Sequence, residues 1–192
     1  VLTGWQYLNG YKYYFREDGR LVQNVDPIIG KQSSYIIKVN KTTNCLTIYA
    51  KDGENGYILP VMSMLTSVGD DTPLGTFKSP ERYRWRYMIG DCYTQYATRI
   101  TGSFLLHSVI FEKENNRTLR AQTYNDLGVA RSAGCVRLRT GDAKWIYDNV
   151  QAGVPITIYE DTTSVGPFYR PDVVPVPNTQ EWDPTDPGVL LQ

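Results

Sequence analysis

The first 24 residues carry two aromatic-rich runs, Gly4-Trp-Gln-Tyr-Leu8 and Tyr11-Lys-Tyr-Tyr-Phe15, punctuated by Asn9-Gly10 and Asp18-Gly19. Asn-Gly and Asp-Gly tolerate the positive φ of tight hairpin turns, so the pattern predicts a β-hairpin. From Tyr35 the spacing changes to short β-branched runs, Tyr35 to Val39, Cys45 to Ala50 and Tyr57 to Met64, with Asp52-Gly53 placed for a turn. Such runs predict a meander of antiparallel strands. Phe104 to Ile110 and Val154 to Tyr159 read as further strands. Between them Ala143, Ile146, Tyr147 and Val150 fall at i, i+3, i+4 and i+7, which predicts a helix over 141–150 with one apolar stripe. Thr140 is its expected cap, Asp142 suits its positive end, and Gly153 can end it. The body is therefore mainly β, of the α+β kind, with one helix. Beyond Gly166, prolines at 167, 171, 175, 177, 184 and 187 remove ladder donors and periodicity. This tail is expected to be extended, lying on the body or free in solution, and not a domain of its own.

The length of 192 residues suits one catalytic-sized domain with a small attachment. Lys plus Arg number 20 and Asp plus Glu 20, so no basic field exists to hold nucleic acid or an anionic membrane. No apolar run reaches the roughly 18 residues of a membrane-spanning helix. Histidine excludes most: His107 is alone, beside Cys45, Cys92 and Cys135, and these four offer no metal-ligand spacing. Neither a metal nor another cofactor is expected.

Candidate chemistry concentrates in Arg131-Ser-Ala-Gly-Cys-Val-Arg-Leu-Arg139, directly before the helix. A cysteine behind a small-residue turn can present its sulfur and several backbone N–H groups toward one point, which is oxyanion-hole geometry. The thiolate needs a base or a positive charge, and Arg131, Arg137 or His107 could supply it. His107 lies in an apolar strand pattern, where a packed role and a catalytic one are both open. Cys45 reads as a small core residue. Cys92 faces either the substrate loop or Cys45, in a disulfide that an extracellular setting would permit.

Ser132-Ala-Gly-Cys-Val-Arg137, the upstream His107-Ser108, the segment Thr72-Pro-Leu-Gly-Thr-Phe77, and the trailing helix and strand together resemble the L,D-transpeptidase catalytic domain, also called YkuD-like, over about residues 34 to 161. Residues 1–26 resemble one cell-wall-binding repeat of the choline-binding type, with 27–33 as linker, 34–161 as catalytic domain and 162–192 as tail. The resemblance implies an L,D-transpeptidase-like β-sandwich with one helix after the cysteine. It implies formation of 3→3 peptidoglycan cross-links through a thioester on Cys135, with His107 as base, the Ser108 carbonyl fixing its tautomer, and Gly134 in the oxyanion turn. Arg137, Ser132 and Ala133 are expected to meet substrate, with Trp85 and Tyr93 on the pocket wall or rim.

The chain departs from the family pattern twice. Ala133 stands where a His is usual, which should reshape the pocket without removing proton transfer. Cys135 lies 28 positions after His107, and an insertion over Glu112 to Asp126 is expected to form a flap over the site. The implied partners are donor and acceptor stem peptides, carbapenems as covalent inhibitors, and wall glycan or choline at the repeat, where Trp5, Tyr7, Tyr13 and Tyr14 either form an aromatic cage or only pack the hairpin. Since a lone repeat cannot bury its aromatic face, it either stacks on further repeats or leans on the next domain. The expected setting is extracellular, in the wall of a Gram-positive bacterium, with a signal peptide or anchor upstream of Val1. An L,D-carboxypeptidase using water as acceptor, or a catalytically degenerate wall-binding protein, are the competing readings.

Overall fold

The computed structural model describes residues 1–190. A two-stranded hairpin, β1 (Gly4–Leu8) and β2 (Tyr11–Phe15), precedes the short helix α1 (Asp26–Ile29). The body then runs β3 (Tyr35–Asn40), β4 (Cys45–Ala50), β5 (Leu59–Ser67), β6 (Gly75–Phe77), β7 (Arg82–Met88), β8 (Cys92–Thr101) and β9 (Phe104–Ser108). It closes with α2 (Ala121–Asn125), β10 (Val136–Leu138), α3 (Thr140–Asn149), β11 (Ile156–Tyr159) and α4 (Pro187–Leu190). No described helix is long and apolar enough to cross a membrane.

The body strands form one sheet in the order β6-β11-β3-β4-β5-β10-β9-β8-β7. The expected meander is present as the antiparallel β3-β4-β5, and two parallel pairs, β10 with β9 and β11 with β3, join the later strands to it. The main core draws Ile37 and Val39 from one end of the sheet, Tyr96 and Ile100 from the other, and Ala143, Ile146 and Val150 from α3. A flat sheet could not bring those residues together, so the sheet curls around its own core with α3 packed on it. The apolar stripe on α3 is the face that buries, as the 3.6-residue period requires.

Two expectations need correction. Thr140 does not cap α3: it is the first helical residue, its own hydroxyl has no partner, and the helix N-terminus is capped from the distant tail. The insertion at 112–126 is no loose flap, because Phe111 bridges Leu119, α2 follows, and Leu119, Tyr124 and Leu127 form a second core cluster with Phe111. Of the two places expected for the proline-rich tail, it takes the one on the body. Val173 and Val176 pack on that second cluster, Asn125 exchanges hydrogen bonds of 2.8 and 2.9 Å with the backbone of Val176, and Asp183 and Asp186 are buried.

The hairpin leans on the body. The Lys12 N–H donates to the Ile58 carbonyl at 2.9 Å, the Lys12 ammonium pairs with Asp52 at 3.0 Å, and Trp5 and Tyr14 pack against the main core. Asn9 and Gly10 carry the positive φ expected of the turn. Trp5, Tyr7, Tyr13 and Tyr14 do not form one cage. Lys12 lies over the rings of Trp5 and Tyr7, at 5.2 and 5.6 Å, while Tyr13 packs edge-on against Phe168 of the tail.

Candidate active site

Cys135 and His107 reach one cleft because β9 and β10 run parallel in a fixed register, Val136 opposite Leu106 and Arg137 opposite His107. The cleft holds about 430 Å³, with Cys135, His107 and Arg137 on one side and Met88, Ile89 and Cys92 from the β7–β8 hairpin on another. Ile110, Arg120 and Thr123 bring the segment after β9 into the wall, so the expected insertion does shape the site although it is packed.

The turn before Cys135 is locked from both sides. Ser132 Oγ accepts from the Gly134 N–H at 3.1 Å and donates to the Cys135 carbonyl. Buried Thr72 donates from Oγ1 to the Gly134 carbonyl at 2.7 Å and accepts from the Gly69 N–H at 2.9 Å. Gly134 has φ +147°, and a Cβ there would lie 2.4 Å from the Phe104 ring, so neither backbone nor space admits a side chain. Thr72 was visible in the sequence only as part of a resembling segment; its reach of 62 positions along the chain to the turn is a tertiary fact. Ser132, expected to meet substrate, lines the cleft but spends its hydroxyl on the turn.

The thiol accepts a hydrogen bond from the Leu105 N–H at 3.3 Å. Burial pushes the Cys135 thiol above its ordinary value, while that N–H and the positive charges of Arg137 and Arg99 pull it down. His107 is 1% exposed, and burial lowers its imidazole to about 4, against the Ser108 carbonyl, which raises it, with Arg137 lowering it further. Near neutral pH the site therefore rests as thiol and neutral imidazole. His107 Nδ1 lies 2.5 Å from the Ser108 carbonyl, and since a carbonyl only accepts, Nδ1 carries the proton and Nε2 keeps its lone pair. Ser108 Oγ is itself fixed, accepting from the Gln95 N–H at 2.8 Å and donating to the Val109 carbonyl at 2.7 Å.

Arg137 is half-buried and lines the cleft; burial lowers its guanidinium, which Asp126 and the two cleft cysteines partly offset. It forms no ion pair among the described residues. Ala133 sits exposed on the cleft wall. Trp85 and Tyr93, expected on the wall or rim, stand outside it. Trp85 packs edge-on against Phe111 at 5.6 Å, and the Tyr93 backbone pairs with Phe111 while its ring meets Tyr87. Their aromatic character is spent on the second core, which the local sequence did not distinguish from a binding wall. Cys45 and Cys92 are both free, so the disulfide does not form: Cys45 is core, and Cys92 faces the cleft. Among the described residues no three His, Cys, Asp or Glu side chains gather to hold a metal ion.

The model of the L,D-transpeptidase catalytic domain, YkuD, matches residues 34–158, and the model described as "Putative cell wall binding repeat" matches residues 3–21. A protein of Bacillus subtilis (strain 168) named "Putative L,D-transpeptidase YciB" is 36% identical over 118 residues, which are 57% of this chain and 59% of that protein. The chain thus spans less than two thirds of that relative. Among solved structures, the LD transpeptidase LdtMt1 in complex with imipenem matches with a TM-score of 0.52 at 22% identity, covering 66% of this chain and 59% of its own. An L,D-transpeptidase from Mycobacterium smegmatis matches equally well in TM-score, 0.52, at 24% identity over 66% and 58% of the two chains. These two likenesses concern the fold, which is mainly β with a curled sheet in all three. With the catalytic-domain model spanning most of the chain and its motif residues lining the cleft, the protein belongs to the L,D-transpeptidase (YkuD) family.

Proposed function

We propose that this protein transfers peptidoglycan stem peptides between chains through a thioester on Cys135, making 3→3 cross-links. The observation that carries the proposal is the shared cleft, in which the half-buried thiol and the protein's only imidazole face a guanidinium that has no ion-pair partner among the described residues. His107 Nε2 takes the thiol proton as Sγ bonds to the carbonyl carbon of the third stem residue. The carbonyl electrons move onto oxygen, and the Cys135 N–H is the donor best placed for that oxyanion, since the Gly134 N–H already serves Ser132. Collapse breaks the amide bond, and the imidazolium returns its proton to the leaving D-Ala amine. An acceptor amine then attacks the thioester, His107 takes its proton, and the thiol is restored. Arg137 binds a stem carboxylate, a role that suits a planar guanidinium.

The hairpin supplies a second contact. Tyr11, Tyr13, Tyr49 and Tyr159 wall a pocket of about 440 Å³ between it and the sheet, rimmed by Asn9 and Asp161. Lys38 already lies over the Tyr49 ring at 5.3 Å and Lys12 over Trp5, so wall glycan suits these surfaces better than the quaternary ammonium of choline. Such partners support a setting outside the cell, and we infer the wall of a Gram-positive bacterium.

The test is incubation with a disaccharide-tetrapeptide, with product masses read for wild type and Cys135→Ala. Cross-linked dimer from wild type alone supports the proposal. Hydrolysed tripeptide alone would instead support an L,D-carboxypeptidase, and no product from either protein would support a wall-binding role without catalysis.

A further inference from the structure

The catalytic-domain match ends at residue 158, yet the tail beyond it reaches the back of the site. Asp183 Oδ2 accepts from the Thr140 N–H at 2.8 Å, and Thr185 Oγ1 accepts from the Gly141 N–H at 2.9 Å, so the tail caps α3 directly after β10. The seat is shaped for it: a Cβ on Gly141 would lie 2.5 Å from the Thr185 carbonyl. The next residue, Asp186, 1% exposed, accepts from Gln95 Nε2 at 3.0 Å, while its other oxygen accepts from the Gly188 N–H at 2.8 Å. Gln95 is fully buried in β8, and its backbone N–H donates to Ser108 Oγ. The residue so held is the one whose carbonyl fixes the His107 ring.

We propose that Asp186 is a positioning residue for His107, acting through Gln95 and Ser108, so that the C-terminal tail is a working part of the catalytic unit. A neutral amide such as Gln95, buried in a strand, needs a partner for each polar end, and its Oε1 already accepts from Arg84 at 2.9 Å. Without Asp186 the Nε2 end is left unsatisfied in the interior, and β8 must shift to solvate it. The shift is transmitted because the Gln95 N–H and Ser108 Oγ are 2.8 Å apart. The imidazole shares its cleft with Arg137, Cys135, Cys92, Arg120 and Asp71, none of which touches the tail carboxylate, so the linkage runs through positions and not through charge. The proposal concerns the placement of His107, and its catalytic consequence rests on His107 being the base.

Because His107 is the only histidine, its two ring nitrogens can be read alone by ¹⁵N NMR. Wild type is expected to show one protonated Nδ1 and one unprotonated Nε2. Asp186→Ser keeps a cap for Gly188 but is too short for Gln95, and is expected to average the two signals by mixing tautomers. Asp186→Asn can still accept from Gln95 and should restore the wild-type pattern. Asp183→Ser loosens the α3 cap and should lower thermal stability without mixing the tautomers, which separates positioning from general loosening. Where Asp186→Ser does not fold, Gln95→Leu severs the same link from the sheet side and should mix the tautomers equally. With mixing, kcat for stem-peptide acylation should fall about tenfold with KM within about twofold. Unmixed signals in Asp186→Ser or Gln95→Leu overturn the proposal. Mixed signals with unchanged kcat support the link and count against His107 as base.

Discussion

Charged groups in the cleft and at the tail seat are treated in opposite ways. Asp183 and Asp186 are almost wholly buried, yet each of their four carboxylate oxygens accepts a hydrogen bond from the protein. Arg137 is less buried and forms no ion pair among the described residues, with Cys135 and His107 beside it in a cleft open to a ligand. The seat spends its polar capacity on holding the fold. The cleft leaves its capacity unspent, fixing directions by backbone contacts such as Ser108 with His107 and Thr72 with Gly134. A region whose charged groups are satisfied by the protein stabilises, and one whose charged groups are oriented but unsatisfied awaits substrate.

The strongest way to break this contrast is to remove the oriented imidazole. His107→Ala should lower the rate of acylation by a carbapenem by about 10²- to 10⁴-fold, measured by stopped-flow absorbance, the usual span for a general base. A near-normal rate would assign proton transfer to another group and erase the distinction drawn for the cleft.

The pH dependence follows from the buried imidazole. Its protonation lies near 4 in the folded state against 6.5 in the unfolded chain, so the folded protein binds fewer protons there. The stability from keeping His107 neutral is present above pH 6.5 and is lost as pH falls through about 4, roughly 3 kcal/mol in all. Denaturant unfolding of wild type and His107→Gln between pH 7 and 4 should converge toward low pH by about that amount. The acylation rate should hold down to about pH 4 before its acid limb; a limb near 6.5 would mean that the imidazole is solvated.

Asp142 sharpens the contrast at the helix end itself. Burial pushes its carboxyl up to about 6, with Arg139 opposing and Asp183 assisting. This carboxyl carries a cost: the ionised form is disfavoured in the fold, so stability present below 3.8 is lost as pH rises through about 6. Asp142→Asn should stabilise by about 1 kcal/mol at pH 7.5, with the gain shrinking toward pH 4. Destabilisation at pH 7.5 would show that its charge is supporting α3.

How much of this was legible in the sequence differs between the same two regions. Cys135, His107 and the apolar stripe of α3 are short-range signals, a motif and a period, and the structure places the two side chains in one cleft with that helix directly following. The tail seat left no such trace. It docks through isolated contacts, the two carboxylates together with Phe168, Val173 and Val176, without a ladder or helical face, so neither a period of 2 nor one of 3.6 is written into it. Thr140 was misread for the same reason, since its N–H is served by a residue 43 positions away. Trp85 and Tyr93 were misread because an aromatic residue satisfies a second core and a binding wall equally well.

The smallest effect is expected at Ala133, which is exposed on the cleft wall and holds nothing. Ala133→His should leave the cross-linking rate within about an order of magnitude and alter mainly substrate preference or pH profile, because in the proposed mechanism one base serves both proton transfers. Inactive wild type with an active Ala133→His would identify a degenerate cleft.

The central claim is that Cys135 is the group the cleft is built to present. Intact-mass spectrometry after incubation with a carbapenem tests it most directly, using wild type, Cys135→Ala and Cys92→Ala. The account predicts one adduct on wild type and on Cys92→Ala, and none on Cys135→Ala. An adduct that persists in Cys135→Ala, or disappears in Cys92→Ala, would contradict it.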